Sequence, residues 1–259
     1  MSKILEEILE QYASCDEVQA IAIGGSLAAK MSDNISDIDI YVFVTSDISL
    51  EFRQKLVEKY SSKFEVGGEY FGSGDEYYVD ELGMQLDVMF WNVDWFKSVV
   101  LNTWEKFYPS NGYSTCFLYT LKNFQIACEK NGYLSNLKQK IDTPFPQELK
   151  NNIIKRNMRL LKDKPFASYY EQIEKAIKRG DEVSVNHRIS AFLASYFDII
   201  FAKNELLHPG EKRLVKFAIE NCKFLPMDFE HNIEKLLNAN NFNVLLILDE
   251  IVDNLREIL

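Results

Sequence analysis

The segment "DIDIYVFV" (residues 37–44) sets the strongest limit on the fold. Strand residues alternate between faces, so Asp37, Asp39, Tyr41 and Phe43 share one side and Ile38, Ile40, Val42 and Val44 the other. From Tyr41 onward both sides are apolar, the pattern of a central strand whose sheet is covered on both faces. The run is rich in β-branched and aromatic residues and ends at the turn-forming Thr45-Ser46-Asp47. The two aspartates at its start share one face. Buried carboxylates are costly and like charges so placed repel, so the pair calls for a positive partner.

The surrounding pattern splits the chain in two. Residues 3–13 read as a helix through Ile4, Leu5, Ile8 and Leu9. "VQAIAI" (18–23) reads as a strand that runs into Gly24-Gly25, and Ser26 stands as N-cap of a short helix over "LAAKM". A helix is expected over about 49–62, with Phe52, Leu56, Val57 and Tyr60 on one face. A hairpin of "DEYYVD" and "MQLDVMFW" follows, turning at Glu81-Leu82-Gly83. From residue 93 strand signals vanish. Amphipathic helices are expected near 93–107, 114–129, 146–162, 166–179, 185–204, 210–222, 228–239 and 242–258. The expected fold class is α+β: a mixed sheet with helices in residues 1–110, then an all-helical bundle in residues 111–259. Two prolines make "DTPFPQE" (142–148) the best linker. The helix 185–204 is apolar nearly all round, as for the centre of a bundle.

The residues at the strand ends carry the chemistry. Two carboxylates on one face, Asp37 and Asp39, suit a hard divalent ion such as magnesium. The preceding turn supplies the opposite half. Gly24 and Gly25 let the backbone approach a ligand, and Ser26 opens a helix whose free N–H groups favour an anion. An anion seat beside a metal cradle is what a nucleoside triphosphate with bound magnesium requires. Asp87, alone among Leu86, Val88, Met89 and Phe90, reaches the pair if its strand lies beside 37–44. It could then bind metal or take a proton from an attacking hydroxyl.

The order strand, "GGS", short helix, "DID", then a later strand with a lone Asp resembles the nucleotidyltransferase superfamily that includes DNA polymerase beta. It is most similar to the small bacterial members that adenylylate aminoglycoside or lincosamide antibiotics. Residues 18–92 carry the motif; "FDIIFAKNELLHPGEKRL" (197–214) also resembles a segment in superfamily members. The resemblance implies that Gly25 and Ser26 hold the triphosphate of an NTP, ATP by preference. It implies that Asp37 and Asp39, with Asp87, hold two Mg2+ ions, and that Asp87 is the general base. A substrate hydroxyl then attacks the α-phosphorus in line and pyrophosphate leaves. Members often bring one lysine from the helical domain to the triphosphate. Lys212 is the candidate, a cation expected in the first turn of a helix starting near Pro209, where it opposes the dipole.

Charge narrows the acceptor. The chain carries a net charge of −10, and residues 1–145 hold 12 Lys and Arg against 22 Asp and Glu, residues 146–259 17 of each. An acidic first half disfavours long nucleic acids and suits a small, hydroxylated, cationic acceptor such as an aminoglycoside. Scattered Cys15, Cys116, Cys128 and Cys222 fit neither a zinc site nor a disulfide framework and point to a reducing cytoplasm. The N-terminal residues do not read as a secretory signal, and no apolar run is long enough to span a bilayer. Asp198, an acid within the buried helix 185–204, reads as structurally paired, with recognition of a substrate amine as the alternative. Two other functions stay open at this stage: a protein- or RNA-modifying transferase of toxin–antitoxin type, and a non-catalytic nucleotide-binding protein. A homodimer is also left open.

Overall fold

A computed structural model describes residues 2–24, 37–70, 72–163 and 166–259. The chain divides into two compact units, residues 1–101 with 120–143, and residues 102–119 with 144–259. The chain passes between units for the last time after Thr143, inside the proline-bearing "DTPFPQE" segment.

The first unit is built on a mixed sheet. Its strands are β1 (Val18–Gly24), β2 (Ile38–Val44), β3 (Lys63–Gly68), β4 (Gly74–Val79), β5 (Met84–Asn92) and β6 (Gln125–Glu129), in the order β3-β4-β5-β2-β1-β6. β2 lies centrally, parallel to β5 and antiparallel to β1. Alternation decides what each face buries. Ile38, Ile40, Val42, Val44, Leu86 and Val88 form one core with α1 (Lys3–Ala13) and α2 (Leu50–Glu58), through Leu5, Ile8, Leu9, Tyr12, Leu56 and Val57. α1 starts where the Ser2 side chain accepts a hydrogen bond from the Leu5 N–H, with Glu6 in its first turn opposing the positive end of the dipole. The other face packs rings: Phe43 lies within 6 Å of Trp91, Phe96, Phe124 and Tyr133.

The core beneath α2 contains an ion pair that the sequence pattern did not disclose. Arg53, 5% exposed, donates from Nε to Asp75 Oδ2 at 2.9 Å and from Nη2 to the Gly74 carbonyl at 3.2 Å. Asp75 also accepts from the Gly67 N–H at 2.9 Å, and the guanidinium lies 4.1 Å over the Phe90 ring. Paired and bonded in this way, the charge is tolerated in the interior.

Two strands differ from expectation. β3 falls in a stretch assigned to no element, and β6 lies within the segment expected to be helical over 114–129. The helix there is only α4 (Cys116–Asn123), which follows α3 (Val93–Trp104) and precedes α5 (Tyr133–Ile141). Both strands are short and lie at the sheet's edges. Short, half-exposed runs lack the alternation that separates strand from helix.

The second unit is helical: α6 (Gln147–Met158), extended by a π turn over Arg159–Asp163, then α7 (Tyr169–Arg179), α8 (Glu182–Lys203), α9 (Leu214–Asn221), α10 (Phe229–Leu237) and α11 (Val244–Glu257). α8 is its axis. Phe192, Tyr196, Phe197, Ile199, Ile200 and Phe201 are buried against Ile173, Ile233, Leu248 and Val252 from the helices around it. Among the described residues, no helix is long and apolar enough to cross a membrane.

Candidate active site

The register of the sheet brings the acidic residues together. Asp39 of β2 and Asp87 of β5 are partners in the parallel ladder, and Gly24 of β1 is the antiparallel partner of Asp39. Residues paired across a ladder project to the same face. Asp39 and Asp87 are therefore side by side on the ring-bearing face, on strands spaced about 4.8 Å apart. The row continues, since Glu76 of β4 is the partner of Asp87. Both aspartates are half-buried.

Tyr41 lies beside the pair. It follows Asp39 by two residues on the same face, and its ring lies 4.6 Å from Trp91 and 4.8 Å from Phe124. Burial first, then the Asp39 and Asp87 carboxylates, hold its phenol well above the ordinary tyrosine range. A phenol ionises less readily where negative charge is already present. Asp87 is also held by a direct bond: the Gln85 side-chain amide donates from Nε2 to Asp87 Oδ1 at 2.7 Å. Gln85 and Tyr41 were not anticipated. The period-two spacings Gln85-x-Asp87 and Asp39-x-Tyr41 were the signal that could have found them.

Of the other expected residues, Asp37 and Lys212 lie within the described residues. Asp37 is exposed and lies one residue before β2, ahead of the ladder, whose first rung with β5 is Ile38 with Leu86. Among the described residues, no group of three or more His, Cys, Asp or Glu side chains is gathered closely enough to hold a metal ion. Asp37 is thus not gathered with the Asp39–Asp87 pair. Gly25 and Ser26 lie outside the described residues. Lys212 belongs to the helical unit, exposed in the turn before α9. That helix begins at Leu214, with Arg213 as its left-handed N-cap at φ 58°, so Lys212 is outside the first turn where it was expected. The donor chemistry fits magnesium, which commonly takes one or two protein carboxylates beside substrate phosphates.

Asp198 on α8 is turned into the helical unit, 1% exposed. It accepts from the Ser114 N–H at 2.9 Å, the Ser114 hydroxyl at 2.6 Å and Asn157 Nδ2 at 2.9 Å. Its partners are thus one backbone group and two neutral side chains. Burial raises its pKa to about 6, against the lowering effect of those donors. Buried His208 donates its backbone N–H to Thr115 Oγ1 at 2.8 Å, and its ring lies tilted against Tyr113 with centroids 4.7 Å apart. Burial lowers its pKa to about 3. Together these bonds tie residues 110–115 to α6, α8 and the 208 turn, a structural role.

No family model matches the chain, and no curated protein matches it. Among solved structures, a nucleotidyltransferase-like protein from Exiguobacterium sibiricum matches over 98% of this chain and 74% of its own, at 13% identity and a TM-score of 0.50. A spectinomycin adenyltransferase, AAD(9), from Enterococcus faecialis, solved with ATP and spectinomycin, matches over 98% and 97% at 14% identity, with a TM-score of 0.33. The chain has a nucleotidyltransferase-like fold, a likeness carried by the first of these structures.

Proposed function

We propose that the chain is a metal-dependent nucleotidyltransferase that moves a nucleoside monophosphate from an NTP, ATP by preference, onto a hydroxyl of a small molecule. One observation carries the reading: Asp39 and Asp87 are register partners on one face of the central sheet, within a fold similar to a nucleotidyltransferase-like protein. The alternation that buries Ile38, Ile40, Leu86 and Val88 on the opposite face is what holds both carboxylates on this one.

Asp39 and Asp87 would hold Mg2+, with Asp37 joining them around a second ion as cation charge offsets the repulsion. Bound magnesium supplies charge neutralisation at the phosphate oxygens. Gly25 and Ser26 would seat the triphosphate, and Lys212 is the candidate cation for it. Asp87 accepts the proton of the acceptor hydroxyl as that oxygen bonds to the α-phosphorus. The bond from the α-phosphorus to the bridging oxygen breaks, and pyrophosphate leaves with its electron pair. The acidic row Asp39, Asp87 and Glu76 and the net charge of −10 favour a cationic acceptor of the aminoglycoside type. Antibiotic inactivation is then the expected role, and the cytoplasm the expected place.

Incubation of the purified protein with each NTP, Mg2+ and a library of antibiotics and metabolites, followed by mass spectrometry, tests this. A nucleoside monophosphate adduct on a small molecule is the expected product. Label appearing on protein or RNA from a lysate instead would move the acceptor to a macromolecule. No adduct with any NTP on any acceptor class would overturn the reading.

A further inference from the structure

We infer that Gln85 is a positioning residue that fixes the Asp87 carboxylate for divalent-ion binding through one neutral hydrogen bond. The inference rests on the function proposed above and adds a component to it. Gln85 and Asp87 are two residues apart on β5, so their side chains leave the same face. The amide donates to Oδ1 at 2.7 Å. That bond commits one carboxylate oxygen and restrains rotation of the group.

The surroundings explain why such a device is required. Asp87 has Asp39 as its partner on one side and Glu76 on the other. Like charges in adjacent register push a free carboxylate away from both neighbours, towards water. An arginine or lysine at position 85 would also restrain it, but would neutralise the charge that attracts the cation. An amide restrains without neutralising. Outer partners of this kind orient metal-binding carboxylates and typically matter at about 10- to 100-fold in affinity.

The test measures Mn2+ affinity by electron paramagnetic resonance at saturating α,β-methylene-ATP, for the wild-type chain, Gln85→Met, Asp87→Asn and the double variant. Methionine is close in size to glutamine and has no donor, so thermal midpoints should agree within about 2 °C. The expected result is about tenfold weaker Mn2+ binding in Gln85→Met. In the Asp87→Asn background the same change should add almost nothing, because the carboxylate it serves is gone. Unchanged affinity in Gln85→Met, or an equal loss in both backgrounds, overturns the positioning role while leaving the proposed function standing. A wild-type chain that holds no Mn2+ in the presence of nucleotide overturns the proposed function and the role of Gln85 with it.

Discussion

A methyl group at position 24 would stand 2.5 Å from Cε2 of Tyr41, so Gly24 and the Tyr41 ring share a space that only one can fill. The ring cannot swing aside freely, because Trp91 and Phe124 pack against it at 4.6 and 4.8 Å. Gly24→Ala should therefore destabilise the sheet unit by about 1–3 kcal/mol, the usual cost of overpacking. Urea unfolding measures this. Combined with Tyr41→Ala, the penalty should largely disappear, and additive losses would show that the two positions do not compete.

Asp87→Asn separates binding from chemistry. Asparagine keeps an oxygen for the Gln85 amide to bond, so the fold should survive. It cannot take a proton from an acceptor hydroxyl. Turnover should fall by about 10²–10⁴-fold, while affinity for metal-free nucleotide, measured by calorimetry in a chelating buffer, changes less than about threefold (a shift of about 0.65 kcal/mol). Equal product from both proteins would remove the general-base role.

The Arg53–Asp75 pair should behave as a buried ion pair with one removable half. Asp75→Ala leaves the guanidinium without its carboxylate and the Gly67 N–H without its acceptor. The expected loss is about 3–5 kcal/mol. Arg53→Met with Asp75→Ala should lose less than the sum of the single changes, since no lone charge remains. Denaturant midpoints of the four proteins check this.

The helical unit contains two buried titrating groups with opposite pH signs. Burial raises the folded pKa of Asp198 to about 6, so the folded chain holds this proton more tightly. Its contribution is full at low pH and is lost as pH rises through about 6. His208 is lowered to about 3, so the unfolded chain binds that proton more tightly. Its contribution is full above the unfolded pKa and is lost as pH falls towards 3. Between pH 5 and 6 the two slopes oppose, each below the one-proton limit of about 1.4 kcal/mol per pH unit. Asp198→Asn should unmask the histidine slope. Its stability, relative to wild type, should then fall as the buffer is taken from pH 6 to 5, and parallel curves would refute the assignment.

The strands that carry chemistry were legible because their alternation is strong. Asp39 and Asp87 each interrupt an otherwise apolar run, and the only assumption required was that the two runs are neighbours, which the ladder supplies. What escaped notice depends on partners distant in the chain. Asp198 gave no sign that Ser114 and Asn157 would answer it, and nothing in the pattern around Arg53 points to Asp75 beneath it. β3 and β6 escaped because edge strands are short and half-exposed. Lys212 was tied to a helix start at Pro209, whereas the left-handed Arg213 delays that start to Leu214. Pattern alone does not locate such a cap.

The parallel pairing of β2 with β5 also constrains how the protein would acquire the proposed activity. Parallel strands cannot be joined by a tight hairpin, and here α2, β3 and β4 intervene between the two halves of the acidic pair. That loop must close before the pair exists, and its entropic cost is met only once the whole sheet forms. A growing chain on the ribosome that stops short of β5 therefore has no partial centre able to consume nucleotide. Competence to react should arrive in one step, with the last rung of the ladder.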